Sequence, residues 1–187
     1  MLDMYRRPDK IKEAMNTLLP LNIEMGLNSA TNNNNPFVFI PLHKGADSFM
    51  SRDQYAEFYW PTLKKLILGI IEGGCVPCLF VEGAYNNRLD FLKDSDLPNG
   101  KIYWFFDKTD MVKVKEHLSN KAAFGGNVPG SMLKTSTPDK VEEYVKNLIE
   151  DVAGDGGYML TTGAVIDDAE EENMRAMIKA ANKYGKY

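Results

Sequence analysis

Five short apolar runs, each bounded by turn residues and separated from the next by a stretch of helical periodicity, constrain the fold of this chain more than any other feature. They begin at Phe37 (FVFIPL), Val76 (VPCLFVE), Ile102 (IYWFF), Ala122 (AAFGGNV) and Gly157 (GYMLTTGAV). Uninterrupted apolar strands need cover on both faces, and the connections are too long for hairpins. The pattern therefore predicts an α/β fold of parallel βα units.

The intervening segments read as helices. From Pro8 to Gly26, Ile11, Met15, Leu18, Leu19 and Ile23 recur at helical spacing, with Pro20 expected to kink or interrupt the helix, and Asn32 to Asn35 form a polar loop. Ser51 and Gln54 make a capping-box pattern ahead of Tyr55, Phe58, Tyr59, Leu63, Leu66, Ile67 and Ile70, and Gly73 and Gly74 stop that helix. A short helix is expected near Arg88 to Lys93, another capped by Asp110, one from Thr137 with Pro138 in its first turn, and a last from about Asp168. A closed eight-stranded barrel runs to about 250 residues. With 187 residues and five strands, residues 1–187 read as one domain that is either an open sheet or part of something larger.

Composition narrows the function classes. The net charge is -4, with Lys and Arg dispersed, so no nucleic-acid footprint is present. No apolar stretch reaches the roughly 18 residues of a membrane span, and MLDMYRRPDK lacks the apolar centre of a signal peptide, which gives an expectation of a cytoplasmic protein. Cys75 and Cys78 are the only cysteines; their CVPC spacing lacks a second ligand pair and enters a strand, so it reads as packing rather than as redox or zinc chemistry.

In parallel βα folds, ligands meet the C-terminal ends of the strands. There the sequence places His43, Lys44 and Asp47, then Glu82, Tyr85, Asn86 and Arg88, then Asp107 and Lys108, then Asn127, and finally Thr161, Thr162, Asp167 and Asp168. Glu82, closing an apolar strand, could act as a base, a metal ligand or a cation partner; the alternative is an ion pair with Arg88. His43 could bind metal or shuttle protons, or simply be hydrogen-bonded. His117 is expected on a helix surface, and Met174 and Met177 in the core together with Ile178 and Ala181. GGNVPG allows close backbone approach, with no helix start expected after it that would make it a phosphate loop.

The order of these elements, together with MSRDQYAEFYWPTLKKLI, VPCLFVEG, TDMVKVKEHL, GGNVPGSMLKTSTPDKVEEYVKNLI and ENMRAMIKAANKYG, resembles the C-terminal half of the uroporphyrinogen decarboxylase family, which includes corrinoid-linked methyltransferases. The resemblance covers nearly the whole chain, and its most specific piece is Gly126 to Pro129 followed by the Thr137, Pro138 helix start. It implies the C-terminal part of a TIM-type (β/α)8 barrel that is incomplete in this chain. In the decarboxylase branch a histidine follows the last strand; Ala164 stands there, and a serine after the FVFIPL-like strand is replaced near Gly45. In the thiol-methylating branch a His-x-Cys pair and a later cysteine hold zinc; Phe80 and Glu82 occupy the pair, and Gly163 or Ala164 the third position.

The resemblance thus implies a methyltransferase component that passes a methyl group from a small methylated or methoxylated substrate to a corrinoid protein. Glu82 and Asp107 would be catalytic, with Glu82 a zinc ligand. His43, Lys44, Tyr85, Asn86, Arg88, Asn127, Thr161 and Thr162 would bind substrate. The alternatives are a tetrapyrrole decarboxylase needing no cofactor, and a non-catalytic partial barrel that requires a complementary barrel half. Homo-oligomerisation is a further expectation.

Overall fold

The computed structural model describes residues 2–154 and 156–186. Helix α1 (Leu2–Arg6) leads into α2 (Pro8–Asn32), and strand β1 spans Phe37–Pro41. Next come α3 (Arg52–Gln54), a π-helical turn (Tyr55–Tyr59), α4 (Trp60–Glu72), β2 (Val76–Val81), α5 (Leu89–Leu92) and β3 (Tyr103–Phe106). The chain continues through α6 (Met111–Leu118), β4 (Ala123–Val128), α7 (Gly130–Thr135), α8 (Pro138–Val152), β5 (Tyr158–Thr162) and α9 (Glu171–Tyr184). The strands form one sheet in sequence order, every pair parallel.

The sheet has two unlike faces. Alternate residues turn toward the helices and build the core, where Leu79, Val81, Trp104, Phe106, Phe124 and Val128 are buried against the apolar sides of α4, α6 and α8. The other face leaves large side chains exposed. Along β1, Val38 is buried whereas Phe37, Phe39 and Pro41 are exposed.

Several boundaries differ from the sequence reading, each for a physical reason. Helix α2 is not interrupted at Pro20 and runs past Gly26 to Asn32, so Asn32 belongs to the helix and the loop starts one residue later. Gly26 serves close packing instead of termination: a Cβ there would lie 2.9 Å from both Ile70 and Val38, and one at Gly69 would lie 2.5 Å from Ile23. The missing side chains let α2 approach α4 and β1.

The capping box forms as expected, with Gln54 N–H donating to Ser51 Oγ and Ser51 N–H to Gln54 Oε1. Beyond it the helix widens into the π turn. Pro61 has no N–H to donate to the Glu57 carbonyl, and its ring would crowd that carbonyl in a regular α-helix. The wider turn relieves the crowding and changes the phase between the buried Tyr55 and Phe58 and the buried Trp60, Leu63, Ile67 and Ile70.

GGNVP is followed by a helix after all, the six-residue α7. The last strand is shorter than Gly157 to Val165, and α9 begins at Glu171 rather than Asp168, because Glu170 N–H donates to the Leu133 carbonyl and holds the preceding residues as loop. The short fifth helix is confined to Leu89–Leu92. Asp110 caps α6 as expected, accepting from Val112 and Lys113. His117 is half-buried, its ring against the Lys113 carbonyl, and Ile178 is exposed rather than core.

Candidate functional site at the strand ends

Strand register assembles the site. β1 pairs with β2 up to Pro41↔Phe80, so two residues further on His43 and Glu82 lie side by side. β2 and β3 pair up to Val81↔Phe106, which brings Glu82 level with Asp107. The β3–β4 register carries Asp107 to Asn127, and Asn127 pairs with Thr161. Paired residues in a parallel sheet point to the same face. His43, Glu82, Asp107, Asn127 and Thr161 therefore form one polar row along the C-terminal edge of the open face, above the apolar Phe80 and Phe105.

Each member of the row is held. His43 Nδ1 contacts Glu82 Oε2, and both side chains are about half exposed. A carboxylate oxygen accepts, so the hydrogen of the pair sits on Nδ1 and Nε2 is left as the acceptor. Tyr59 Oη donates to the His43 carbonyl at 3.1 Å. Asp107 Oδ2 accepts from the Gly83 amide at 3.0 Å, and Asn127 Nδ2 donates to the Thr109 carbonyl at 2.7 Å. Thr161 Oγ1 donates to the Thr162 carbonyl.

The remaining sequence candidates lie elsewhere. Glu82 does not pair with Arg88. That guanidinium is only 1% exposed, lies 3.6 Å from Asp47 Oδ1, donates to the Met50 carbonyl at 2.7 Å and stacks on the Tyr55 ring. Tyr85 is buried beside it, its hydroxyl donating to the Leu42 carbonyl, and burial pushes its phenol well above the ordinary tyrosine range. Arg88 and Tyr85 thus brace the loops after β1 and β2 from beneath. Arg52 ties the same loops from outside, donating to the Asn87 carbonyl at 2.6 Å and to Asp90 Oδ1 at 2.9 Å. Thr162 pairs with Val128, on the helix-facing side, and Thr162 Oγ1 donates to the Ala164 carbonyl. Lys44 holds its ammonium over the Phe49 ring, and Asn86 Oδ1 accepts from the Asp110 amide.

A cleft of about 740 Å³ opens beside the row, bounded by Asp107, Asn127, Ser131, Lys134, Val165 and Asp168. A second, of about 490 Å³, lies toward α6 and α8 and shares Lys108, Asn127 and Tyr144 with the first. Lys134 is clamped between Asp168 at 2.9 Å and Glu170 at 2.7 Å. Sequence reasoning missed Tyr144, Ser131 and Lys134; recognising α7 would have found the last two.

A zinc centre uses three or four protein ligands. Among the described residues no three His, Cys, Asp or Glu side chains converge to hold a metal ion. His43 and Glu82 supply two donors, so the residues present do not make a zinc site by themselves. Cys78 belongs to the open sheet face, and burial pushes its thiol above the ordinary value.

A family model described as uroporphyrinogen decarboxylase (URO-D) matches residues 1–184. Curated relatives include the uroporphyrinogen decarboxylase of Ruthia magnifica, 21% identical over 98% of this chain and 50% of that protein. That of Vesicomyosocius okutanii is 23% identical over 76% of this chain and 43% of its own length. The chain spans about half the length of these relatives. Among solved structures, a methyltransferase from Methanosarcina mazei superposes with a TM-score of 0.81 at 18% identity, over 100% of this chain and 53% of that one. The fold is therefore about half of a TIM-type barrel, and the chain belongs to the uroporphyrinogen decarboxylase family.

Proposed function

We propose that this half barrel is a methyltransferase component whose strand-end row receives a small, uncharged methylated or methoxylated substrate. The observation that carries this reading is the charge of the row. It contains two carboxylates, Glu82 and Asp107, and no lysine or arginine; Arg88 is turned inward, Lys44 lies over the Phe49 ring and Lys134 is occupied by Asp168 and Glu170, which leaves Lys108, in the adjoining clefts, as a single cation against two carboxylates. A polycarboxylate tetrapyrrole would meet two carboxylates there with one lysine beside them, whereas an uncharged donor meets no like charge.

In methyl transfer the bond from methyl carbon to heteroatom breaks, the bonding pair stays on the heteroatom, and that atom gains a proton. A corrinoid on a partner protein would supply the methyl acceptor. The residues of this chain orient the donor and manage the proton. The His43–Glu82 pair lies in hydrogen-bond contact and can take a proton at His43 Nε2, the ring nitrogen that Glu82 does not engage. Asn127, locked by the Thr109 carbonyl, and Thr161 offer neutral hydrogen-bonding groups to the rest of the substrate.

Ligand-observed NMR with 2-methoxyphenol and, separately, coproporphyrin tests the reading. Saturable binding of the methoxyphenol that weakens in Glu82→Gln, without porphyrin binding, is expected. Porphyrin binding that strengthens in Glu82→Gln, with none of the methoxyphenol, would overturn it in favour of the decarboxylase activity named for the curated relatives.

A further inference from the structure

The chain turns sharply straight after His43, and the turn is strained. Among the described residues three other than glycine adopt left-handed backbone: Asn34, Asn120 and Lys44, the last with a φ of 70°. Asparagine visits that region readily, whereas a lysine there carries a steric cost and persists only where its surroundings hold it. Lys44 directly follows the residue whose imidazole meets Glu82.

Two phenols supply the hold. Tyr85 Oη donates to the Leu42 carbonyl at 2.8 Å and Tyr59 Oη to the His43 carbonyl at 3.1 Å, so consecutive carbonyls ahead of the strained turn are gripped from two different elements. Gly45, just past the turn, makes room for both: a Cβ there would overlap the Tyr85 hydroxyl and crowd the Tyr59 ring. Tyr55 fixes the two rings relative to each other, stacking on Tyr59 at 5.1 Å and meeting Tyr85 edge-on at 6.2 Å. Beyond the turn, the Asp47 N–H donates to the Ala84 carbonyl at 2.8 Å, which ties this loop to the one that follows Glu82. Burial raises both phenols above the usual tyrosine range, so both stay protonated donors at neutral pH.

We propose that Tyr59 and Tyr85 are positioning residues: by gripping the Leu42 and His43 carbonyls they keep Lys44 left-handed and the His43 ring against Glu82. The tautomer of a histidine is set by the hydrogen bond its ring makes, so the clamp fixes the hydrogen on Nδ1 and reserves Nε2 for an incoming proton. The proposal rests on the reading of His43 and Glu82 as the pair that handles the proton. Neither phenol belongs to the polar row; each acts on it through His43. Gly45 is then required by the clamp, since any side chain there would push the two hydroxyls off their carbonyls.

Long-range nitrogen–proton NMR correlation of the imidazoles at alkaline pH tests this, with His117, whose Nδ1 faces the Lys113 carbonyl, as the internal control. In the parent, His43 should be the Nδ1-protonated tautomer. Tyr59→Phe and Tyr85→Phe keep the rings and lose the hydroxyls. In each, His43 should lose that preference and go over to the Nε2-protonated form that an unrestrained imidazole favours, with His117 unchanged. Adding Lys44→Asn to either variant should return His43 to the Nδ1 form, because asparagine holds the left-handed turn without the clamp. A role in stability alone would lower the urea midpoint of both variants and leave the His43 tautomer where it was. That result would overturn the proposal, as would a parent already in the Nε2 form or a tautomer change that Lys44→Asn does not reverse. The readout needs no substrate: if 2-methoxyphenol fails to bind the parent while the tautomer responds, the methyltransferase reading falls and the clamp on His43 stands.

Discussion

Replacing Arg88 with methionine should destabilise the fold severely without touching the polar row. The side chain is almost fully buried, and its guanidinium faces Asp47 at 3.6 Å, the Met50 carbonyl at 2.7 Å and the Gly45 carbonyl at 3.4 Å. Removing it strands two carbonyls and a carboxylate oxygen that already lacks a hydrogen-bond partner. Removing one member of a buried ion pair costs about 3–5 kcal/mol. With a urea slope of about 2 kcal/mol/M, the midpoint should fall by roughly 1.5–2.5 M. Urea unfolding followed by far-UV circular dichroism reads this directly. Arg88→Met made on an Asp47→Leu background should cost far less, because no charge is then left uncompensated. A midpoint shift below about 0.5 M, or an equal loss in both backgrounds, would refute the assignment of Arg88 to the brace beneath the loops.

Further outcomes follow from the same geometry. Glu82→Gln should leave the urea midpoint within about 0.5 M of the parent, since half-exposed ion pairs contribute about 0–1 kcal/mol, while substrate binding weakens. Gly125→Ala should destabilise by about 1–3 kcal/mol, because its Cβ would lie 2.8 Å from the Met159 carbonyl oxygen, which cannot step aside as a side chain can; equal melting temperatures would contradict this. Burial pushes Tyr59 and Tyr103 from 10.0 up to about 12, so the folded state keeps their protons longer than the unfolded chain. Their contribution to stability is fully present below pH 10 and is lost as pH rises to about 12, which paired urea titrations and phenolate absorbance should show. Cys75 and Cys78 are three residues apart in nearly extended chain, on the order of 10 Å, and should remain free thiols in mild oxidant, as thiol titration would check.

Much of this architecture was legible in the sequence because a buried parallel strand leaves an unmistakable apolar run and a capping box needs only four residues. The polar row was legible as five separate strand-end residues. Their alignment was not, since it depends on register, and register is a tertiary property: His43 and Glu82 meet only because Pro41 pairs with Phe80. Arg88 misled for a related reason. A charged residue after a strand looks like a ligand group, and nothing local reveals that Asp47, from a different loop, draws it inward. Helix α7 was invisible because six residues carry no periodicity, and Gly26 resembled a stop because a glycine used for close helix contact has the same sequence signature as one that ends a helix.

The π turn at Tyr55–Tyr59 acts, in terms of chain length, as a one-residue insertion lodged inside a helix. Each α-helical residue advances the face by about 100°. Deleting Ala56 would therefore be taken up by closing the wide turn into a regular one, whereas deleting a residue from the regular helix after Trp60 would swing Arg52 by that angle away from Asp90 and the Asn87 carbonyl. In the second case the loop that follows Glu82 would lose its outer tether, so the wide turn is a place where the helix layer can gain or lose a residue without loosening one end of the polar row.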